Sequence, residues 1–167
     1  MRRLAAFASI MLAACLSLGH AEAKNFLLEE YFAGKTVAEG SFRAINFTSR
    51  KFTVDLTGTW DGRTLTLRED FVYDDGERDT KTWRFTKTSP TTYTGTREDV
   101  VGQTLVTSDG NVATFSYQVY LTPETQENLV TFFDRMVLNE DGTVLNKATV
   151  MKYGFPVAWT RVDFRRD

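Results

Sequence analysis

The sequence predicts an all-β fold, an antiparallel up-and-down barrel of about 8–10 strands with one short N-terminal helix. Three observations carry this expectation. Turn-forming residue pairs recur at short intervals, and the segments between them alternate apolar and polar residues with period two. Threonine and aromatic residues are abundant, whereas the 167-residue chain holds three prolines, a balance that suits pleated strands. A two-sheet sandwich would satisfy the same pattern and stays open as the alternative.

The chain begins with a segment unlike the rest. Met1-Arg2-Arg3 is a short positive stretch, Leu4 to Leu18 is apolar and uncharged, and Ala21-Glu22-Ala23 supplies the small-x-small pattern of a signal-peptidase site. The apolar run falls short of the ~20 residues that span a bilayer. We therefore expect residues 1–23 to be a signal peptide and residues 24–167 to be a single domain, periplasmic or secreted. Leu12-Ala13-Ala14-Cys15 offers a competing reading as a lipobox, with Cys15 lipidated and the protein anchored to the membrane. The apolar run continues through Cys15 and a well-formed site follows at Ala23, which favours ordinary cleavage before Lys24.

The elements follow in order. Asn25 is expected to cap a helix whose stripe is Phe26, Leu27, Tyr31 and Phe32, and Gly34 to end it. Phe52, Val54, Leu56, Gly58 and Trp60 then share one strand face against Thr53, Asp55, Thr57 and Thr59, and Asp61-Gly62 turns the chain. Leu65, Leu67, Glu69, Phe71 and Tyr73 form the next face, ended by Asp74-Asp75-Gly76. Lys81, Trp83 and Phe85 lead to Ser89-Pro90, and Tyr93, Gly95 and Arg97 share the face after it. Asp109-Gly110-Asn111 precedes the series Ala113, Phe115, Tyr117, Val119 and Leu121. Thr122-Pro123 precedes Val130, Phe132, Asp134, Met136 and Leu138. Asp141-Gly142 opens a last series in which Asn146 and Lys152 alternate with Val144, Ala148 and Val150. Asx-Gly pairs tolerate the positive φ that tight hairpins require. One wet face and one dry face is the mark of antiparallel sheet.

What is missing excludes whole classes of chemistry. Cleavage before Lys24 would remove Cys15 and His20, the single cysteine and single histidine. The domain would then have no Ser-His-Asp or Cys-His catalysis, no His or Cys ligand for zinc and no axial His or Cys for haem. No cofactor is expected. Taking Arg2, Arg3 and Glu22 from the 20 basic and 22 acidic residues leaves 18 and 21, with both signs interspersed. Such a surface carries no footprint for nucleic acid, and a membrane partner is expected only if Cys15 is lipidated. Asp74-Asp75-Gly76-Glu77 and Glu98-Asp99 lack the alternating ligands of a calcium loop and read as turn residues. Asn46-Phe47-Thr48 matches a glycosylation sequon, a coincidence in a bacterial-type exported chain.

The informative residues are the polar ones on the apolar face. Glu69, Arg97, Asp134, Asn146 and Lys152 fall among inward-facing neighbours, and a buried carboxylate costs several kcal/mol unless it is paired or hydrogen-bonded. Glu69 and Asp134 are expected to face Arg97, Lys152 or Asn146 across the interior. A register-fixing ion-pair network would explain them, and so would a pocket with an apolar body and a few convergent polar groups. In the second reading Trp60, Trp83, Phe115, Tyr117 and Phe132 line the body, and Gly40, Gly58, Gly95 and Gly102 with Ala38 and Ala113 leave space. The two carboxylates could also act as general acid and base, but no other catalytic signature accompanies them, and the protein is expected not to be an enzyme.

Through Gly58-Thr59-Trp60-Asp61-Gly62, Glu69-Asp70-Phe71-Val72-Tyr73, Asp75-Gly76-Glu77, Glu98-Asp99-Val100-Val101-Gly102, Leu145-Asn146-Lys147-Ala148 and Lys152-Tyr153-Gly154-Phe155, the chain resembles the bacterial envelope family called domain of unknown function 3833. The resemblance covers nearly all of residues 24–167 and implies no established activity. Many members look like lipoproteins. Gly58-Thr59-Trp60 also has the form of the lipocalin Gly-x-Trp motif, placed here at the end of the second strand and not on the first. The expectation is a monomeric, lipocalin-like (calycin-type) barrel that binds a small apolar or amphipathic molecule, such as a lipid. A filled structural or interaction barrel is the alternative, and an enzyme acting through Glu69 and Asp134 is third.

Overall fold

The computed structural model describes residues 25–122 and 124–167. Residues 1–24, with Cys15 and His20, lie outside it. Helix α1 (Leu28–Phe32) precedes ten strands: β1 (Gly34–Ala44), β2 (Ser49–Trp60), β3 (Thr64–Tyr73), β4 (Arg78–Ser89), β5 (Thr92–Thr96), β6 (Thr104–Asp109), β7 (Val112–Thr122), β8 (Glu127–Leu138), β9 (Val144–Lys152) and β10 (Phe155–Arg166). Every strand pairs antiparallel with its neighbours in sequence, and β1 pairs with β10 from Thr36↔Arg166 to Ala44↔Ala158, closing the barrel. Closure joins the first and last strands and so removes the open edges of a flat sheet. The sandwich is excluded.

The inward faces are those that the alternation marks. Leu65 and Leu67 on β3, Trp83 and Phe85 on β4, Val106 on β6 and Ala113 on β7 are buried together in the core. The hairpin turns use their Asx residues as expected. Asp61 Oδ1 accepts from the Arg63 and Thr64 amides at 2.8 and 2.7 Å, and Asp141 Oδ1 from the Thr143 amide at 2.9 Å. Gly62, Gly76, Gly110 and Gly142 all take positive φ.

The helix lies at one end of the barrel, beside the end of β2 and the start of β3. Asn25 does not cap it. Its Oδ1 accepts from the Gly110 amide at 3.1 Å, and the Phe26 amide donates to the Gly110 carbonyl at 2.7 Å, so the segment is tied to the β6–β7 turn. The capping position falls on Leu27, which has no side-chain acceptor. The plug is held from within. Glu29 accepts from Lys87 Nζ and, at 2.5 Å, from the Tyr93 hydroxyl, while the Tyr31 hydroxyl donates to the Phe164 carbonyl at 3.1 Å. Burial opposes the Glu29 charge, but these two donors outweigh it and hold the carboxyl below its usual pKa.

Two strands are short, and this shapes the wall. β5 covers β4 only from Arg84 to Ser89, and β6 covers β7 only from Val112 to Thr114. The remaining stretch between β4 and β7 is closed by residues 97–103. The Glu98 carboxylate accepts from the Thr82 amide at 3.0 and 3.1 Å, Val100 bridges Val119, and the Val101 amide donates to the Gln118 carbonyl at 2.9 Å. A loop thus stands in for the missing strand.

Candidate functional site

A cavity of about 160 Å³ lies in the barrel next to the helix. Its apolar wall includes Leu28 and Phe32 of the plug with Trp83, Phe115, Tyr117 and Phe132 of the barrel. The four barrel aromatics form one continuous ladder. Trp83 meets Tyr117 edge-on at 5.2 Å, Tyr117 stacks on Phe115 at 5.9 Å and on Phe132 at 5.1 Å. Such contacts add about 0.5–1.5 kcal/mol each beyond burial and make the wall stiff.

The polar residues converge on the same space. Glu69, Arg97, Asp134 and Asn146 all line the cavity. The Asn146 amide donates to Asp134 Oδ1 at 2.5 Å, while Asp134 Oδ2 and Asn146 Oδ1 are buried with no hydrogen-bond partner among the described residues. Arg97 lies over the Trp83 and Tyr117 rings at 4.7 and 5.2 Å. It donates to Asp99 at 2.6 and 3.2 Å, and Lys81 meets the same carboxylate at 2.9 Å and Asp79 at 3.1 Å.

The electrostatics follow from this geometry. Burial pushes the Asp134 carboxyl up to about 6, only partly offset by the Asn146 hydrogen bond and the Arg97 charge. Glu69 is half-buried and lines the cavity. Burial pushes it up to about 7, with Arg97 and Lys81 pulling it down and Glu98 and Asp134 pushing it further up. Burial also drives the Tyr117 phenol well above its usual range.

Two residues expected in the site lie elsewhere. Lys152 ends β9 six residues beyond Asn146, about 20 Å along an extended strand. There its Nζ donates to Asn128 Oδ1 at 2.6 Å, at the far mouth. Trp60 lies beyond the point where the helix crosses β2, packed against the core and outside the cavity lining. The crossing occurs at Gly58, where a Cβ would stand 1.8 Å from the Phe32 carbonyl oxygen. Gly40, Gly58 and Gly95 do not create the space either. The gap at Gly40 is filled by the Phe52 ring, and that at Gly95 by Phe85 and Thr104. In the sequence Glu98-Asp99 reads as a turn and Lys81 has no evident partner, whereas in the fold Asp99 pairs with both Arg97 and Lys81. The closeness of Asp99 to Arg97 along the chain was the one available signal for their pairing.

The fold and the site define a class, a closed lipocalin-like barrel with a small polar-tipped lumen. The chain belongs to the family described as "Protein of unknown function (DUF3833)", which matches residues 9–166. No curated protein matches it. Among solved structures it is similar in fold to the S-type phycobiliprotein lyase CPES from Guillardia theta, with 13% identity, a TM-score of 0.59, and coverage of 85% of this chain and 93% of that one. Rv2717c from M. tuberculosis is similar at 12% identity and a TM-score of 0.59, with coverage of 84% and 96%. A protein of the DUF3598 family from Nostoc punctiforme is similar at 13% identity and a TM-score of 0.58, over 87% of this chain and 51% of that one.

Proposed function

We propose that the protein is an exported carrier of the bacterial envelope that holds one compact apolar or amphipathic molecule in its lumen, as a monomer and without transforming it. One observation carries this reading: an aromatic-walled cavity into which four polar side chains converge at the cost of their own solvation. That is the anatomy of a small-molecule site. The volume narrows the ligand. An apolar cavity of about 150 Å³ accepts benzene, so the lumen of about 160 Å³ takes a ring-sized body or one segment of a lipid.

Toluene titrated into protein labelled for NMR should shift the resonances of Trp83, Phe115 and Phe132. Val162→Phe, which fills the cavity from β10, should abolish those shifts. Shifts that survive the filling variant, or none in the wild type, would leave the barrel as a structural element of the envelope. Export is tested by the intact mass of the protein purified from cells, which should begin at Lys24. Palmitate label that vanishes in Cys15→Ser would instead make it an anchored lipoprotein.

The two high carboxyl pKa values support a second reading, acid–base chemistry on the bound molecule. One fold relative is named a lyase. Turnover of a bound molecule that is lost in Glu69→Gln would favour it over carriage.

A further inference from the structure

The cations around the lumen already have partners. Arg97 and Lys81 share Asp99, and Lys81 also meets Asp79. Arg97 is thus the lining cation and already has Asp99 as partner, whereas the lining carboxylates Glu69 and Asp134 form no salt bridge among the described residues. Asp134 Oδ2 and Asn146 Oδ1 are left with nothing to accept from, side by side on neighbouring strands β8 and β9 at Asp134↔Ala148 and Met136↔Asn146. Leaving a buried acceptor unsatisfied costs about 1–3 kcal/mol, and native interiors seldom tolerate two together.

We propose that the lumen selects a ligand whose polar end donates hydrogen bonds, a protonated amine above all, seated between Asp134 and Asn146 with Glu69 facing the same space. This rests on the lumen being a ligand site and names the chemistry that it takes. A carboxylate head meets the opposite situation. The Arg97 guanidinium is already engaged with Asp99 and covered by two rings, and Glu69 and Asp134 would repel a second anion. Both orphan oxygens are shielded in the ligand-free barrel. The terminal torsions of Asp and Asn are broad, so a turn of either group presents its oxygen to the cavity.

The test uses four probes with one aromatic body: benzylamine, benzyl alcohol, toluene and benzoate, titrated by calorimetry at pH 8. Benzylamine should bind at least tenfold tighter than toluene, with benzyl alcohol between them and benzoate weakest. In Asp134→Asn the preference for benzylamine should collapse to within about threefold while toluene binds as before. The preference should also shrink at pH 5, because Asp134 and Glu69 then take up protons against the fixed charges around them. Those are Arg97 and Asp99 of the loop, Lys81 of β4 and Glu98, with Tyr117 and Asn146 neutral beside them.

Toluene binding as tightly as benzylamine would overturn the proposal and leave the lumen site standing. Benzoate binding tightest would also overturn it and assign the head to Arg97. If no probe binds, the lumen reading falls and the proposal with it. Glu69→Gln is a second variant, expected to weaken benzylamine alone.

Discussion

Replacing Asp134 by Asn should make the protein more stable at neutral and alkaline pH, although it alters one half of a buried hydrogen-bonded pair. The folded state raises the Asp134 carboxyl from its usual 3.8 to about 6, chiefly by burial. Below pH 3.8 both folded and unfolded chains carry the proton and no difference exists. Between 3.8 and about 6 the folded chain holds a proton that the unfolded chain has released, so stability falls as pH rises. Above about 6 the full penalty is present. At about 1.4 kcal/mol per pH unit this amounts to about 3 kcal/mol. An Asn at position 134 keeps the acceptor for the Asn146 amide and adds an NH₂ group that can donate to the orphaned Asn146 Oδ1. Urea denaturation of the wild type and D134N at pH 3.5, 5 and 8 measures the effect. The variant should gain about 3 kcal/mol at pH 8 and match the wild type within ~0.5 kcal/mol at pH 3.5. A loss at pH 8, or a gain that does not change with pH, would refute the reasoning.

Glu69→Gln should also stabilise by up to about 3 kcal/mol, with the gain growing between pH 4.5 and about 7. Combined with Asp134→Asn it should fall short of additivity, because the Asp134 charge helps to raise Glu69; a double-mutant cycle in urea reads the shortfall. Gly58→Ala should cost at least about 1–3 kcal/mol, since the new methyl meets the Phe32 carbonyl, and amide exchange in α1 should quicken more than in the barrel. Glu29→Gln should lose about 1–3 kcal/mol at pH 7 by weakening two charge-assisted bonds. Because Glu29 has a lowered pKa, that loss should fade as pH drops below 4.5, which melting curves across pH would show.

The barrel was legible because each hairpin repeats one local rule. Period-two alternation fixes which face is dry, and Asp61-Gly62, Asp74-Asp75-Gly76, Asp109-Gly110 and Asp141-Gly142 fix where the chain reverses. The turns that escaped notice lack the Asx-Gly pair: Asn46 Oδ1 accepts from the Thr48 amide at 3.1 Å with no glycine between them, and Gly154 follows Tyr153. Phe47 in the β1–β2 turn and Tyr153 before Gly154 adopt φ of 66° and 51°, a conformation for which an aromatic residue gives no signal. In the site, Glu69, Arg97, Asp134 and Asn146 could be placed because strand parity decides inward or outward. Parity says nothing about depth along the barrel axis, and for that reason Lys152 and Trp60 were assigned to a lumen that their strands leave behind. Nor could it show that Asn25 would serve Gly110, a partner far along the chain.

The wall between β4 and β7 bears on how a molecule could reach a lumen whose near end is stoppered. Elsewhere, parting the barrel means breaking a ladder of main-chain hydrogen bonds that act together. Along residues 97–103 the closure depends instead on one carboxylate against the Thr82 amide, one amide on Gln118, the Val100 bridge and the Arg97–Asp99–Lys81 cluster. Segments held by so few bonds open at free energies well below that of global unfolding. Arg97 belongs both to this closure and to the cavity lining, so a change at one reaches the other. Residues 97–103 are therefore the stretch of wall held by the fewest main-chain bonds, and parting them need not disturb the helix.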